Sequence, residues 1–138
     1  MCYFLYGAIN KEANEKDLAE VSEGNFYHFN IGTKHDVKTS VLECSDGFRL
    51  TSGMCDCDTP IGAGAEHREH EEIRELSSLL EDMRLVRGVK CVYISKNWAG
   101  KINKREETYH IDDIDIPDFL AEMKENCLYR IDLYERYV

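Results

Sequence analysis

The sequence predicts a single α+β domain: a two-layer sandwich with a mainly antiparallel or mixed sheet and about three helices. Three observations predict it. Strand-like and helix-like segments mix irregularly, in an order of roughly β-α-β-β-β-α-β-β-α-β. No linker, repeat or low-complexity tract divides the 138 residues, so residues 1–138 read as one domain. An apolar fraction of 43% supplies a core of ordinary size without disulfides.

Cys2 to Ile9 is apolar on both faces, the mark of a buried central strand. Asn14 to Ser22 reads as a short helix, with Asn14 as N-cap, Leu18 and Val21 as a narrow stripe and Gly24 as its end. Asn25 to Ile31 is aromatic-rich and strand-like, with Tyr27, Phe29 and Ile31 on one face. Val37 to Cys44 and Phe48 to Ser52 flank Ser45-Asp46-Gly47, a hairpin signal. After Gly62-Ala63-Gly64 the longest helix is expected near residues 65–87, with Ile73, Leu76, Leu80 and Met83 as its core stripe and Gly88 as its stop. Val89 to Ser95 reads as another buried strand. Lys96 to Lys104 reads as a polar connection carrying Trp98, and Glu106 to Ile111 as an alternating strand. Pro117 to Asn126 is a helix with proline near its first turn. Tyr129, Ile131, Leu133 and Tyr137 share one face of a last strand. Strand order does not follow from these patterns.

Charge narrows the partners. The 27 acids against 17 bases give a net charge of −10, which repels a phosphate backbone or an anionic membrane surface. Nucleic acid and membrane are therefore not expected as partners. A tyrosine-rich or acidic face leaves room for a protein partner or a second copy of the chain. No stretch approaches the roughly 18 apolar residues that span a bilayer, and no basic start with an apolar run marks a signal peptide. A cytoplasmic location is expected, where the six cysteines stay reduced and serve as ligands, redox groups or packing residues.

The segment richest in chemistry is Cys55-Asp56-Cys57-Asp58. In an extended chain Cys55 and Cys57 share a face, and the two aspartates take the other. His67 and His70 are three apart and share a helix face. Two thiolates and two imidazoles are a natural tetrahedral set for zinc, so Cys55, Cys57, His67 and His70 are candidate metal ligands. Both pairs are spaced more tightly than the usual zinc motifs. The plainer reading makes the cysteines small apolar packing groups and the histidines part of a solvated, glutamate-rich first turn. Asp56, Asp58 and that glutamate run disfavour a thiolate unless a metal or an arginine intervenes, Arg49 and Arg68 being nearest in sequence.

Cys2 is a further thiol. If Met1 is removed, Cys2 carries a free amine beside its thiol, the arrangement of an N-terminal nucleophile hydrolase. The glycine that often follows such a cysteine is replaced by Tyr3.

Met1-Cys2-Tyr3, with Tyr6 in the same strand, and Cys55-Asp56-Cys57 before a long helix resemble small uncharacterised bacterial proteins that open with Met-Cys and carry an internal Cys-x-Cys. Glycine often follows the paired cysteines there; aspartate follows them here. The resemblance implies that Cys2, Cys55 and Cys57 meet at one end of the sheet, and it implies no activity. With His67, His70 or His35 as a fourth ligand they make a closed Cys₃His site. Without metal they make a redox-thiol site.

Cys44, Cys91 and Cys127 read as packing residues. No phosphate loop, nucleophile elbow or paired acid and base can be assigned. Trp98 reads either as an exposed partner anchor or as a core residue. The leading expectation is thus a zinc-binding or redox-thiol domain built on Cys2, Cys55 and Cys57 with help from His67 or His70. The alternatives are a non-catalytic protein-interaction or scaffold domain and a hydrolase using Cys2 as nucleophile.

Overall fold

The computed structural model describes residues 2–10, 13, 15–29, 47–99 and 103–135. Its strands are β1 (Tyr3–Ile9), β2 (Phe48–Arg49), β3 (Cys91–Trp98), β4 (Arg105–His110) and β5 (Cys127–Asp132). Its α-helices are α1 (Glu15–Ser22), α2 (Glu71–Met83) and α3 (Ile116–Ala121). The sheet order is β2-β1-β3-β5-β4. Neighbours are antiparallel except β4 and β5, which run parallel and are joined by the crossover through α3. The fold is therefore α+β with a mixed sheet.

Two periodicities build the two layers. Along β1 and β3, Leu5, Ile9, Val92 and Ile94 point to one face of the sheet. Ile73, Leu76, Leu79, Leu80 and Met83 of α2, with Leu120 and Ala121 of α3, meet them in one core. Burial of each large apolar side chain is worth about 1.5–3 kcal/mol of transfer free energy, before the entropy of ordering is subtracted. A smaller cluster of Ala8, Cys91, Tyr93 and Leu128 lies on the opposite face. Because β1 and β3 are buried on both faces, they read as continuous apolar runs in the sequence.

Several boundaries differ from expectation. The long helix is two pieces, a 3₁₀ turn at Ala65–His67 and then α2. His70 breaks them: its backbone is extended (φ −59°, ψ 139°), and its Nδ1 accepts the Glu72 N–H at 3.1 Å as the α2 cap. After Met83 the chain tightens into i→i+3 bonds, Arg84 N–H to Glu81 O and Leu85 N–H to Asp82 O. Asn25–Phe29 is a bend and irregular chain rather than a strand, although Tyr27 and Phe29 are buried and Phe26 is exposed, as alternation requires. His28 ties it to the chain leaving β2, through its N–H to Leu50 O (2.8 Å) and its Nε2 to the Ser52 hydroxyl (2.9 Å). β2 itself keeps two residues of the expected Phe48–Ser52 strand. β3 extends through Lys96 and Asn97 to Trp98, where a polar connection was expected. Helix α3 ends at Ala121, and β5 begins at Cys127, before the expected Tyr129. The partner strand Val37 to Cys44, the turn aspartate Asp46, the cap Asn14, Ile31, His35 and Tyr137 lie outside the described residues.

Candidate metal centre

Among the described residues, the two-residue β2 covers only part of the β1 edge, and the chain beyond it builds the site. Among the described residues, β2 pairs with Tyr6 and Gly7 of β1. The β1 backbone groups beyond it, on Leu5 and Tyr3, must find other partners. Leu5 O accepts from Leu50 N–H at 3.1 Å. The chain then loops back, and the Asp56 carboxylate accepts the Leu5 N–H at 2.8 Å. Asp56 N–H donates to Tyr3 O at 2.8 Å, and Tyr3 N–H donates to Cys57 Sγ at 3.4 Å. One side chain and one sulfur thus stand in for a missing stretch of strand. Asp56 is buried and held further by the Thr51 hydroxyl and by Arg49 Nη2 at 3.2 Å. On the other edge of β1, Cys2 O accepts from Ala99 N–H at 2.8 Å. Ladder bonds therefore fix the backbone of Cys2, and Asp56 fixes the loop carrying Cys55 and Cys57.

The result is a group of three thiols. The Sγ atoms of Cys2, Cys55 and Cys57 all lie within 4.8 Å of one another, and all three residues are free cysteines. Sulfurs around a tetrahedral zinc with bonds of about 2.3 Å are separated by about 3.8 Å, so a small inward movement closes them on a metal. Cys2 and Cys55 are half-buried and Cys57 is exposed.

Hydrogen bonds make the thiols unequal. Cys55 is held below the usual thiol range, first because the Cys57 backbone N–H donates to it, then because the Cys57 and Cys2 thiols do; burial and Asp56 oppose this. The Cys2 thiol is pushed up by the same bonds to Cys55 and Cys57, and by burial. The favoured thiolate is therefore Cys55. Lys96, buried and donating to Ile61 O at 2.8 Å, lies 4.8 Å above the Tyr3 ring. Burial pushes its amine down, while Glu125 and Cys57 pull it up, so it is a cation felt at the thiols.

The histidines stand elsewhere. Among the described residues the thiol group comprises Cys2, Cys55 and Cys57, without His67 or His70. His67 sits in the 3₁₀ turn with Nε2 3.7 Å from Glu66, and His70 uses Nδ1 to cap α2. The intervening chain explains this. Gly62 N–H and Gly64 N–H bond to Leu120 O (2.8 Å) and Ala121 O (2.9 Å), which docks the segment on α3. Gly62 is required there: its φ is +70°, and a Cβ would meet Met123 O at 2.7 Å.

The remaining candidates resolve individually. Arg68 pairs with Asp118 at 3.1 Å, away from the thiols, whereas Arg49 serves Asp56. Cys91 and Cys127 are buried. Trp98 folds back on Tyr3, with ring centroids 3.6 Å apart, and the Tyr3 hydroxyl donates to Glu125. Sequence reasoning reads Asp56 only as a charge that disfavours a thiolate and misses its role as the clamp on the thiol loop. Alternation places it opposite the thiols, but only the shortness of β2 shows that a sheet edge waits for it. Beside the group lies a cleft of about 210 Å³, whose walls include Cys55, Cys57 and Glu72.

No protein-family model, curated protein or solved structure matches the chain. Among the described residues, no helix is long and apolar enough to cross a membrane.

Proposed function

We propose that the chain is a small metal-binding domain in which Cys2, Cys55 and Cys57 hold one thiophilic divalent cation, zinc foremost. The observation that supports it is the convergence of three sulfurs within 4.8 Å on a backbone frame fixed by hydrogen bonds. A preorganised thiol trio needs little reorganisation to bind, and zinc takes thiolates readily. The charges agree. Three thiolates and a divalent cation sum to one negative charge, Lys96 lies near, and Asp56 is already paired with Arg49. Such a site belongs in a reducing compartment, consistent with the cytoplasm.

The second reading is a redox-thiol site, favoured by the lowered Cys55 pKa in the metal-free state. The raised Cys2 thiol runs against Cys2 as an activated nucleophile.

Elemental mass spectrometry tests the metal reading, on reduced protein purified without chelators or a metal-affinity column. About one zinc per chain is expected, with loss of that zinc in the Cys55→Ser/Cys57→Ser variant. Folded, reduced protein that carries no metal and takes up neither zinc nor cadmium stoichiometrically overturns it.

A further inference from the structure

A three-thiolate cation has a coordination position left to fill. Among the described residues no histidine or carboxylate joins the thiol group. Cys55 and Cys57 are among the residues lining the 210 Å³ cleft, so a metal held by the thiol group adjoins that space. The cleft is smaller than the roughly 300–1,000 Å³ of sites for drug-sized ligands, so its occupant is small.

The walls select the occupant's charge. Among the lining residues are three carboxylates, Asp56, Asp58 and Glu72, and no lysine, arginine or histidine. Asp56 is neutralised by Arg49, which leaves Asp58 and Glu72 as the field inside. His70 stands 3.9 Å from Glu72 but outside the walls. An anionic ligand is repelled there, and an ammonium group is attracted. Burial holds the Glu72 carboxyl above its usual range; the neighbouring His70 opposes this, and Glu75 and Glu71 add to it. The hydroxyls on the walls are already engaged, Tyr27 with Thr59 and Thr51 with Asp56 and Arg49, so they leave the charge of the walls unchanged. The metal, softened by three sulfurs, prefers a fourth soft donor.

We propose that the cleft admits a small aminothiol, a thiol-bearing molecule with an ammonium group, whose sulfur completes the coordination of the metal and whose cation lies between Asp58 and Glu72. This rests on the metal-binding reading above. On binding, the ligand's S–H proton passes to solvent, its sulfur forms one bond to the metal, and a bound water leaves. No electrons are transferred.

The test uses the full chain loaded with cobalt(II), whose visible absorption reports ligand number and sulfur donation. The protein is titrated with 2-aminoethanethiol and with 3-mercaptopropionate, and retained cobalt is measured after gel filtration. Parent chain and the Asp58→Asn/Glu72→Gln variant are compared. Because the ratio of the two affinities is compared between proteins, the intrinsic basicity of each thiol cancels. The expected result is a preference for the aminothiol that falls at least tenfold in the variant, with cobalt held at one per chain in both. An unchanged ratio overturns the proposal, as does the absence of a spectral change with either thiol, or removal of cobalt by the aminothiol. These outcomes leave the metal reading standing. Failure of the parent chain to take up cobalt sinks both.

Discussion

Cys55 and Cys127 each sit beside a carboxylate, yet their thiols are driven in opposite directions. Cys127 is buried at the start of β5, and its Sγ lies 3.3 Å from Glu107 Oε2 as a donor. Burial first, and the Glu107 bond with it, push that thiol up, so it stays protonated. Cys55 adjoins Asp56 in sequence, but the Asp56 oxygens are already occupied by Leu5 N–H, Thr51 and Arg49. Cys55 therefore does not serve that carboxylate as a donor. It accepts from the Cys57 N–H and from two thiols instead. The difference teaches that a neighbouring acid shifts a cysteine's protonation more through the hydrogen bonds it still has to offer than through its charge alone.

Alkylation separates the two regions most widely. In metal-free protein at neutral pH, iodoacetamide is expected to modify Cys55 at least a thousandfold faster than Cys127. Cys127 is 1% exposed and reacts only when the core opens. An opening cost of about 4 kcal/mol suffices for that ratio. Peptide mapping after timed quenching measures it. Comparable rates at the two sites break the comparison.

The next effect concerns the carboxylate that frames the thiols. Replacing Asp56 by alanine takes the buried acceptor from the Leu5 N–H and the ion-pair partner from Arg49, which keeps its bonds to Gly53 O and the Thr51 hydroxyl. Loss of one member of such a buried pair costs about 3–5 kcal/mol. Asp58 is exposed and makes no comparable bonds among the described residues, so Asp58→Ala is expected to stay within about 0.5 kcal/mol. Urea denaturation of both variants checks this. Equal losses would remove Asp56 from its framing role.

That pair also marks how far the sequence can be read. β1, β3 and α2 were legible because their apolar patterns reflect which faces are buried, a local property of the chain. The parallel pairing of β4 with β5 was not, because strand order depends on contacts far apart in sequence. At the site, Cys55 and Cys57 stood out by spacing, and the resemblance of the opening Met-Cys placed Cys2 with them. His67 and His70 were candidates on the same kind of spacing, as helpers to the cysteines. Their exclusion from the thiol group depends on Gly62 and Gly64 docking on α3, a tertiary event that no spacing rule contains. The clamping role of Asp56 was illegible for a related reason. Its role follows from a two-residue β2, where the alternating pattern had indicated a longer strand.

The smallest expected effect is a pair of pH dependences with opposite signs, one from each region. Glu107 is held below the usual carboxylate range, first by the Tyr109 hydroxyl at 2.7 Å and then by the Cys127 thiol, although burial opposes this. It therefore stabilises the fold above its unfolded pKa of about 4.3, and that stability disappears as pH falls through the lower folded value. Glu72 is held above the range, with burial the main cause. The folded chain then binds the Glu72 proton more tightly than the unfolded chain does. Stability falls as pH rises from about 4.3 through the higher folded value. Urea midpoints across the acid range are therefore expected to lose part of their acid-side decline in Glu107→Gln. In Glu72→Gln they are expected to lose a decline on the opposite, rising-pH side. Variants that change the pH profile in the same direction would show that the two carboxylates share one electrostatic environment. The contrast between the thiol loop and the β4–β5 edge would then fail at the level of charge.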